Sequence, residues 1–174
     1  MNTGKLFAVV VLAVGIVGCA SQPSAPVAVH EPVYSSPVAY GQADDVLFRA
    51  LGLVGTPYRW GGNTPESGFD CSGLIGYVYR DAAGISLPRS TREMINIKAP
   101  TVDRGSLKSG DLVFFATKAR GQVNHAGIYV GEGRFVHAPS TGGTVRLDRL
   151  DNSYWQARYL NAKRVFPTQL AQQP

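Results

Sequence analysis

Cysteine is nearly absent from this 174-residue chain: there are two, Cys19 and Cys71, alongside only three histidines. That count excludes a scaffold stapled by several disulfides. The short Cys and His ligand spacings of structural zinc sites are missing as well. The one sustained apolar run, "LFAVVVLAVGIVG", covers 13 residues from Leu6 to Gly18, whereas a helix crossing a bilayer takes about 20. The glycine-rich "GGNTPESG" lacks the GxxxxGK[ST] order of a phosphate loop. No internal repeat is present, and the net charge of +5 is modest, so no nucleic-acid partner is expected.

The short apolar run follows a single positive charge, Lys5, and fits the core of a signal peptide spanning residues 1–18. The next residues, "IVGCAS", resemble the lipobox of bacterial lipoproteins. The resemblance implies cleavage before Cys19 and acylation of its sulfur, so a Cys19–Cys71 disulfide is not expected. Ala20 stands where an aspartate holds many such lipoproteins in the inner membrane, which points to the outer membrane and a periplasmic domain. An ordinary secreted chain is the alternative. Without residues 1–18 the chain keeps 16 basic and 12 acidic residues. Residues 19–43, rich in Pro, Ala, Ser and Val, read as a flexible tether reaching up to ~70 Å from the lipid. His30 lies in that tether as a solvated residue.

From Asp44 the pattern changes, and a single domain is expected over residues 44–167, followed by a tail at 168–174. "DDVLFRALGLVG" offers an aspartate N-cap and apolar positions at Val46, Leu47, Ala50, Leu51 and Val54, a helix ended by Gly55 and Pro57. "CSGLIGYVYRDAAG" repeats the helical spacing and closes at Gly84, and "STREMINI" suggests a shorter helix. After Gly110 the character turns to strands: "DLVFFA", "HAGIYVG", "RFVHA", "TVRLD" and "RYLNAKRVF". Helices followed by a strand meander argue for an α+β domain with an antiparallel sheet.

Cys71 falls at the start of the second helix rather than inside its apolar stripe. There the unpaired N–H groups and the positive end of the dipole favour a thiolate. Asp70 would oppose this, so its side chain is expected to serve a cap or a substrate. A nucleophilic cysteine needs a base and the base an orienting partner. The remaining histidines, His125 and His137, flank a hairpin whose turn reads as Gly131-Glu132-Gly133. In that register Gly127 faces His137, and His125 lies diagonal to it. Cys71 as nucleophile, His125 as base and His137 as orienter fit a Cys-His-His hydrolase. Zinc held by one Cys and two His is the alternative.

"TPYRWGGNTPESGFDCSGL", "LPRST", "GDLVFF", "HAGIYVGEGRFVHAPSTGGTV" and "YWQARYLNAKRV" occur in the order found in NlpC/P60 cysteine peptidases. The chain resembles that family over residues 46–167, and within it the small lipoprotein murein endopeptidases of the Spr/MepS type. The resemblance implies a papain-like α+β fold and cleavage of peptidoglycan stems, without metal or cofactor. It places the nucleophile on Cys71, the base on His125 and the third polar residue on His137. Tyr58 falls near the oxyanion or substrate, and Asp70 and Ser72 where some members bind the substrate's amine. Trp60 stands where relatives differ. The expected reaction is D,D-endopeptidase cleavage of D-Ala–diaminopimelate cross-links. The alternatives are cleavage of γ-D-glutamyl–diaminopimelate or L,D bonds in the stem, or a silent wall-binding domain. The domain is expected to act as a monomer.

Overall fold

The computed structural model describes residues 37–118, 121–141 and 143–166. The expected signal peptide, Cys19, His30, most of the expected tether and the expected C-terminal tail lie outside the described residues.

The first helix, α1 (Pro37–Gly52), starts seven residues before the expected aspartate cap. Pro37 suits a first helical turn, where its missing N–H costs nothing. Asp44 and Asp45 are therefore exposed positions inside the helix, and the stretch read as tether ends sooner than residue 43. Val46, Ala50 and Leu53 form the buried stripe. A small ribbon of β1 (Asn63–Thr64) and β2 (Gly68–Phe69) follows, and then α2 (Cys71–Ala83). Asp70 caps α2, and Gly84 closes it in the left-handed conformation at φ 66°. The short α3 (Thr91–Met94) opens with a capping box between Ser90 and Glu93.

The remaining strands are β3 (Thr101–Val102), β4 (Leu112–Phe115), β5 (His125–Gly131), β6 (Arg134–His137), β7 (Arg146–Arg149) and β8 (Tyr159–Lys163), with α4 (Ser153–Gln156) between the last two. They form one antiparallel sheet in the order β3-β8-β4-β5-β6-β7. The molecule is thus α+β, with helices on an antiparallel sheet. Alternation along β4 explains why it is apolar throughout. Leu112 and Phe114 join α1 and α2 in the larger core, while Val113 and Phe115 face a second cluster with Phe135, Leu150 and Trp155. Both faces of the sheet are covered.

The hairpin turn is one residue tighter than the spacing suggests. Arg134 pairs with Gly131 rather than Val130, and a bulge absorbs the extra residue. Glu132 (φ 51°) and Gly133 (φ 69°) make the turn, both in the left-handed region that matches strand twist. Beyond the bulge, Ile128 pairs with Val136, which keeps Gly127 level with His137 as expected.

Candidate active site

The N-terminus of α2 is built around Asp70. Its Oδ1 accepts from Gly73 N at 2.7 Å, Ser72 Oγ at 3.0 Å and Arg89 Nη1 at 3.0 Å. Its Oδ2 accepts from Arg89 Nη2 at 2.8 Å and Gly61 N at 3.0 Å. Burial alone would raise this carboxyl, but Arg89, the Gly73 N–H and Ser72 outweigh it and hold it below the usual carboxylate range. Asp70 is thus the helix cap, and it fixes the glycine-rich loop and the Arg89 segment to the same corner. Close backbone approach requires the glycines there: a Cβ on Gly73 would stand 2.0 Å from Gly62 O.

Cys71 is the first residue of α2, with the N–H groups of Ala126, Ser72 and Cys71 itself directed at its sulfur. The expected low thiol pKa does not hold in the resting site. Burial first, and the Asp70 charge second, push the thiol up to about 11 against those N–H groups. The helix end offers dipoles, but enclosure and a neighbouring anion dominate. Cys71 lines a cleft of about 510 Å³ together with Tyr58, Ser72, Arg89 and His125. Burial, then the Cys71 and Asp70 charges, raise the Tyr58 phenol, which keeps it a neutral donor. Trp60 stands on the cleft wall at 83% exposure.

His125 is the first residue of β5 and His137 the last of β6. The rings meet edge to face, with His125 Nε2 2.8 Å from His137 Nδ1. Gly127 lets the strands close beside the imidazoles: a Cβ there would stand 2.6 Å from the Phe135 ring and 2.9 Å from Val136 O. His137 is fully buried, and its Nε2 donates to Asp148 Oδ2 at 3.0 Å. That acceptor sets the tautomers along the line. A carboxylate can only accept, so His137 carries its proton on Nε2 and accepts on Nδ1. His125 then donates from Nε2 and keeps its lone pair on Nδ1. Both nitrogens of the His137 ring are thus engaged in hydrogen bonds.

Burial, followed by the His137 and Arg146 charges, pushes His125 down to about 3. Burial also lowers His137, although Asp148 opposes this. Asp148 is held well below the carboxylate range, chiefly by its bond to His137 and further by Trp155 and Arg146. Trp155 Nε1 donates to the same oxygen at 3.0 Å, and the indole stacks on His125 with centroids 5.6 Å apart. Arg146 reaches that oxygen from Nε at 3.2 Å and Nη2 at 3.0 Å.

The structure thus brings Cys71, His125, Tyr58, Asp70 and Ser72 to one cleft, with His137 directly behind His125. Asp148, Arg146, Trp155 and Arg89 were not singled out by sequence reasoning. "TVRLD" reads only as a strand. The pairing of His137 with Arg146, which sets Asp148 diagonal to the imidazole, belongs to a long-range register.

A cysteine at a helix N-terminus that shares a cleft with the first of two hydrogen-bonded, buried histidines, at the end of an antiparallel sheet, is the arrangement of an α+β hydrolase. The chain belongs to the NlpC/P60 family, whose model matches residues 55–164. It is 48% identical over 113 residues to murein DD-endopeptidase MepH of Escherichia coli (strain K12), across 64% of this chain and 42% of that protein. It is 40% identical over 111 residues to murein DD-endopeptidase MepS/murein LD-carboxypeptidase of the same strain, across 64% of this chain and 56% of that one. Among solved structures, an NlpC/P60 family protein from Bacillus cereus ATCC 10987 superposes with a TM-score of 0.66 at 33% identity, over 72% of this chain and 40% of that one. The chain spans about half the length of the two murein endopeptidases.

Proposed function

We propose that the protein is a peptidoglycan endopeptidase that hydrolyses D-Ala–diaminopimelate cross-links through Cys71. The observation that carries this is the 2.8 Å contact between His125 and His137, which leaves Nδ1 of His125 as the basic atom on the cleft shared with Cys71. The names of the similar proteins, murein DD-endopeptidases, support the substrate class.

In the resting site both partners are neutral, a thiol and an imidazole. His125 Nδ1 takes the Cys71 proton as sulfur attacks the scissile carbonyl. The oxyanion that forms is held by the Cys71 backbone N–H and the Tyr58 hydroxyl. When the C–N bond breaks, the imidazolium returns its proton to the leaving nitrogen, giving a free amine and a thioester on Cys71. His125 then deprotonates water, which hydrolyses the thioester and restores the thiol. His137 orients His125 and shares its transient charge, and Asp148 fixes His137. Asp70 and Ser72, clamped by Arg89, offer polar contacts for the acyl-side peptide. Neither metal nor cofactor is required by this sequence of steps.

The lipobox-like "IVGCAS" supports a lipid on Cys19 and a place at the outer membrane facing the periplasm. Purified soluble domain incubated with cross-linked muropeptide dimers tests the reaction. Monomers with intact tetrapeptide stems are expected. Persistent dimers with stems cut after D-glutamate would establish the γ-D-glutamyl specificity instead, and no cleavage at all would favour a wall-binding domain.

A further inference from the structure

The cleft does not end at His125. A second hollow of about 370 Å³ continues past it, lined by His125, Arg146, Lys118, Ser140, Tyr154 and Trp155 but not by Cys71. Thr117, Lys118, Ser140 and His125 border both hollows. In acyl transfer through a Cys–His pair, the imidazole gives its proton to the departing nitrogen. The departing nitrogen therefore comes to the same Nδ1 that took the Cys71 proton, and the rest of the departing group extends past His125, away from Cys71. The hollow that holds His125 without Cys71 is on that side.

Arg146 sets the chemistry of this hollow. It uses Nε and Nη2 on Asp148, and among the described residues its Nη1 has no hydrogen-bond partner. Its side chain remains 42% exposed. Lys118 adds a second cation on the rim. The aromatic wall of Tyr154 and Trp155 supplies apolar surface beside these charges. One cation anchored by an ion pair, with a donor still free and a second cation nearby, suits a small planar anion.

We propose that this hollow is the leaving-group subsite and that Arg146 binds a carboxylate carried by the carbon next to the scissile nitrogen. The proposal rests on the cross-link reading above. In a D-Ala–diaminopimelate bond the departing nitrogen sits on a carbon that also bears a free carboxylate, so a charge is carried into the hollow with every productive substrate. In a γ-D-glutamyl–diaminopimelate bond of a tetrapeptide stem, the carboxyl on the corresponding carbon is consumed in the amide to the next residue. Arg146 thereby selects the cross-link over bonds whose departing nitrogen lacks the neighbouring anion. Binding also reaches the base. The Arg146 charge helps keep both histidines neutral, and a carboxylate laid against it eases formation of the His125 imidazolium.

The test crosses two substrates with three proteins. Soluble cross-linked dimers carry that carboxylate either free or as its primary amide, and kcat/KM is measured for wild type, Arg146→Gln and Arg146→Lys. A charge-assisted hydrogen bond is worth roughly ten- to a hundredfold, so wild type should prefer the free carboxylate by about that factor. Arg146→Gln should slow cleavage of the free form and reduce the preference to within about threefold, and Arg146→Lys should restore part of it. An equal loss on both substrates in Arg146→Gln would overturn the proposal, leaving Arg146 as a support for Asp148 alone. Absence of any preference in wild type would overturn it too. Dimers left intact by wild type while stems are cut would remove the cross-link reading and the subsite with it, a result distinct from lost discrimination.

Discussion

Asp148 Oδ2 lies 3.0 Å from His137 Nε2, and this one contact settles where the protons sit on both imidazoles. Asparagine at that position keeps the volume but can present an N–H₂ group, which allows the opposite tautomer. Replacing an aspartate that orients a catalytic base directly costs ~10⁴ in kcat. Asp148 acts one ring further away, so Asp148→Asn should lower kcat by roughly 10²-fold with KM little changed. An unaltered kcat on cross-linked dimers would show that His137 keeps its tautomer without the carboxylate.

His125 and His137 should not be equivalent. Loss of the proton-transferring base typically costs 10²–10⁴-fold, and His125→Ala should fall in that range. His137→Gln can still accept from His125 through its amide oxygen and should retain more activity. Single-turnover rates for both variants, with folding checked by circular dichroism, decide the order. A more damaging His137→Gln would reverse the roles.

The site pairs a neutral thiol with a neutral imidazole. Burial pushes Cys71 up to about 11 and His125 down to about 3. Alkylation of the folded domain by iodoacetamide should therefore be slow at neutral pH and accelerate as pH rises through 8 to 10 towards the Cys71 value. A labelling rate that levels off near pH 7 would mean a preformed thiolate. Cys71→Ala should take up no label and hydrolyse nothing.

Acid should also weaken the fold through the same histidines. The unfolded chain protonates histidine near 6.5, whereas folded His125 resists down to about 3. Between these values the unfolded state binds more protons, so stability falls as pH falls, by about 1.4 kcal/mol per pH unit for each fully resisting histidine. The depressed carboxylates of Asp70 and Asp148 lose their contribution mainly below about pH 5, so the decline between pH 7 and 5 belongs to the histidines. Thermal melts from pH 7 to 4.5 should show a steady decline that is shallower in His125→Asn. Equal slopes would place the acid sensitivity elsewhere.

The glycines of α2 should respond in opposite directions. A Cβ on Gly73 would strike Gly62 O, while one on Gly76 meets nothing within 4 Å. Gly73→Ala should cost roughly 1–3 kcal/mol through overpacking and displace Cys71. Gly76→Ala should raise the melting temperature slightly, by the ~1 kcal/mol helix preference for alanine. Similar melts for the two would contradict the close approach of loop and helix.

Membrane attachment is tested apart from the domain. Cys19→Ala should release the protein into the soluble periplasmic fraction, and a variant that still sediments with the outer membrane would not be anchored by a lipid on Cys19.

The parts of this site that follow local rules were readable in advance. Asp70 and Gly84 bracket α2, and His125 and His137 flank one hairpin whose short loop fixes their register. The bulge at that hairpin escaped because it restores, from Ile128 and Val136 onward, the register that a three-residue turn would give. The start of α1 escaped because "PVAYGQA" carries no helical stripe, with a glycine inside it. Asp148 and Arg146 depend on how β7 docks against β6 after a connecting loop, a register without local signature. Arg89 reaches Asp70 from a segment outside any strand or helix. The thiol's protonation was misjudged for a related reason: a helix end can be read from spacing, but enclosure of its sulfur cannot.

The packing of Trp155 gives the molecule an optical property. The chain has two tryptophans, one open to solvent at position 60 and one 5% exposed and stacked on His125. Their emission spectra must separate, red for the first and blue for the second. In a Trp60→Phe background the remaining indole is a single intrinsic fluorophore resting on the His125 ring. Its intensity, quenched when that imidazole becomes cationic, records proton arrival at the site in real time without any added dye.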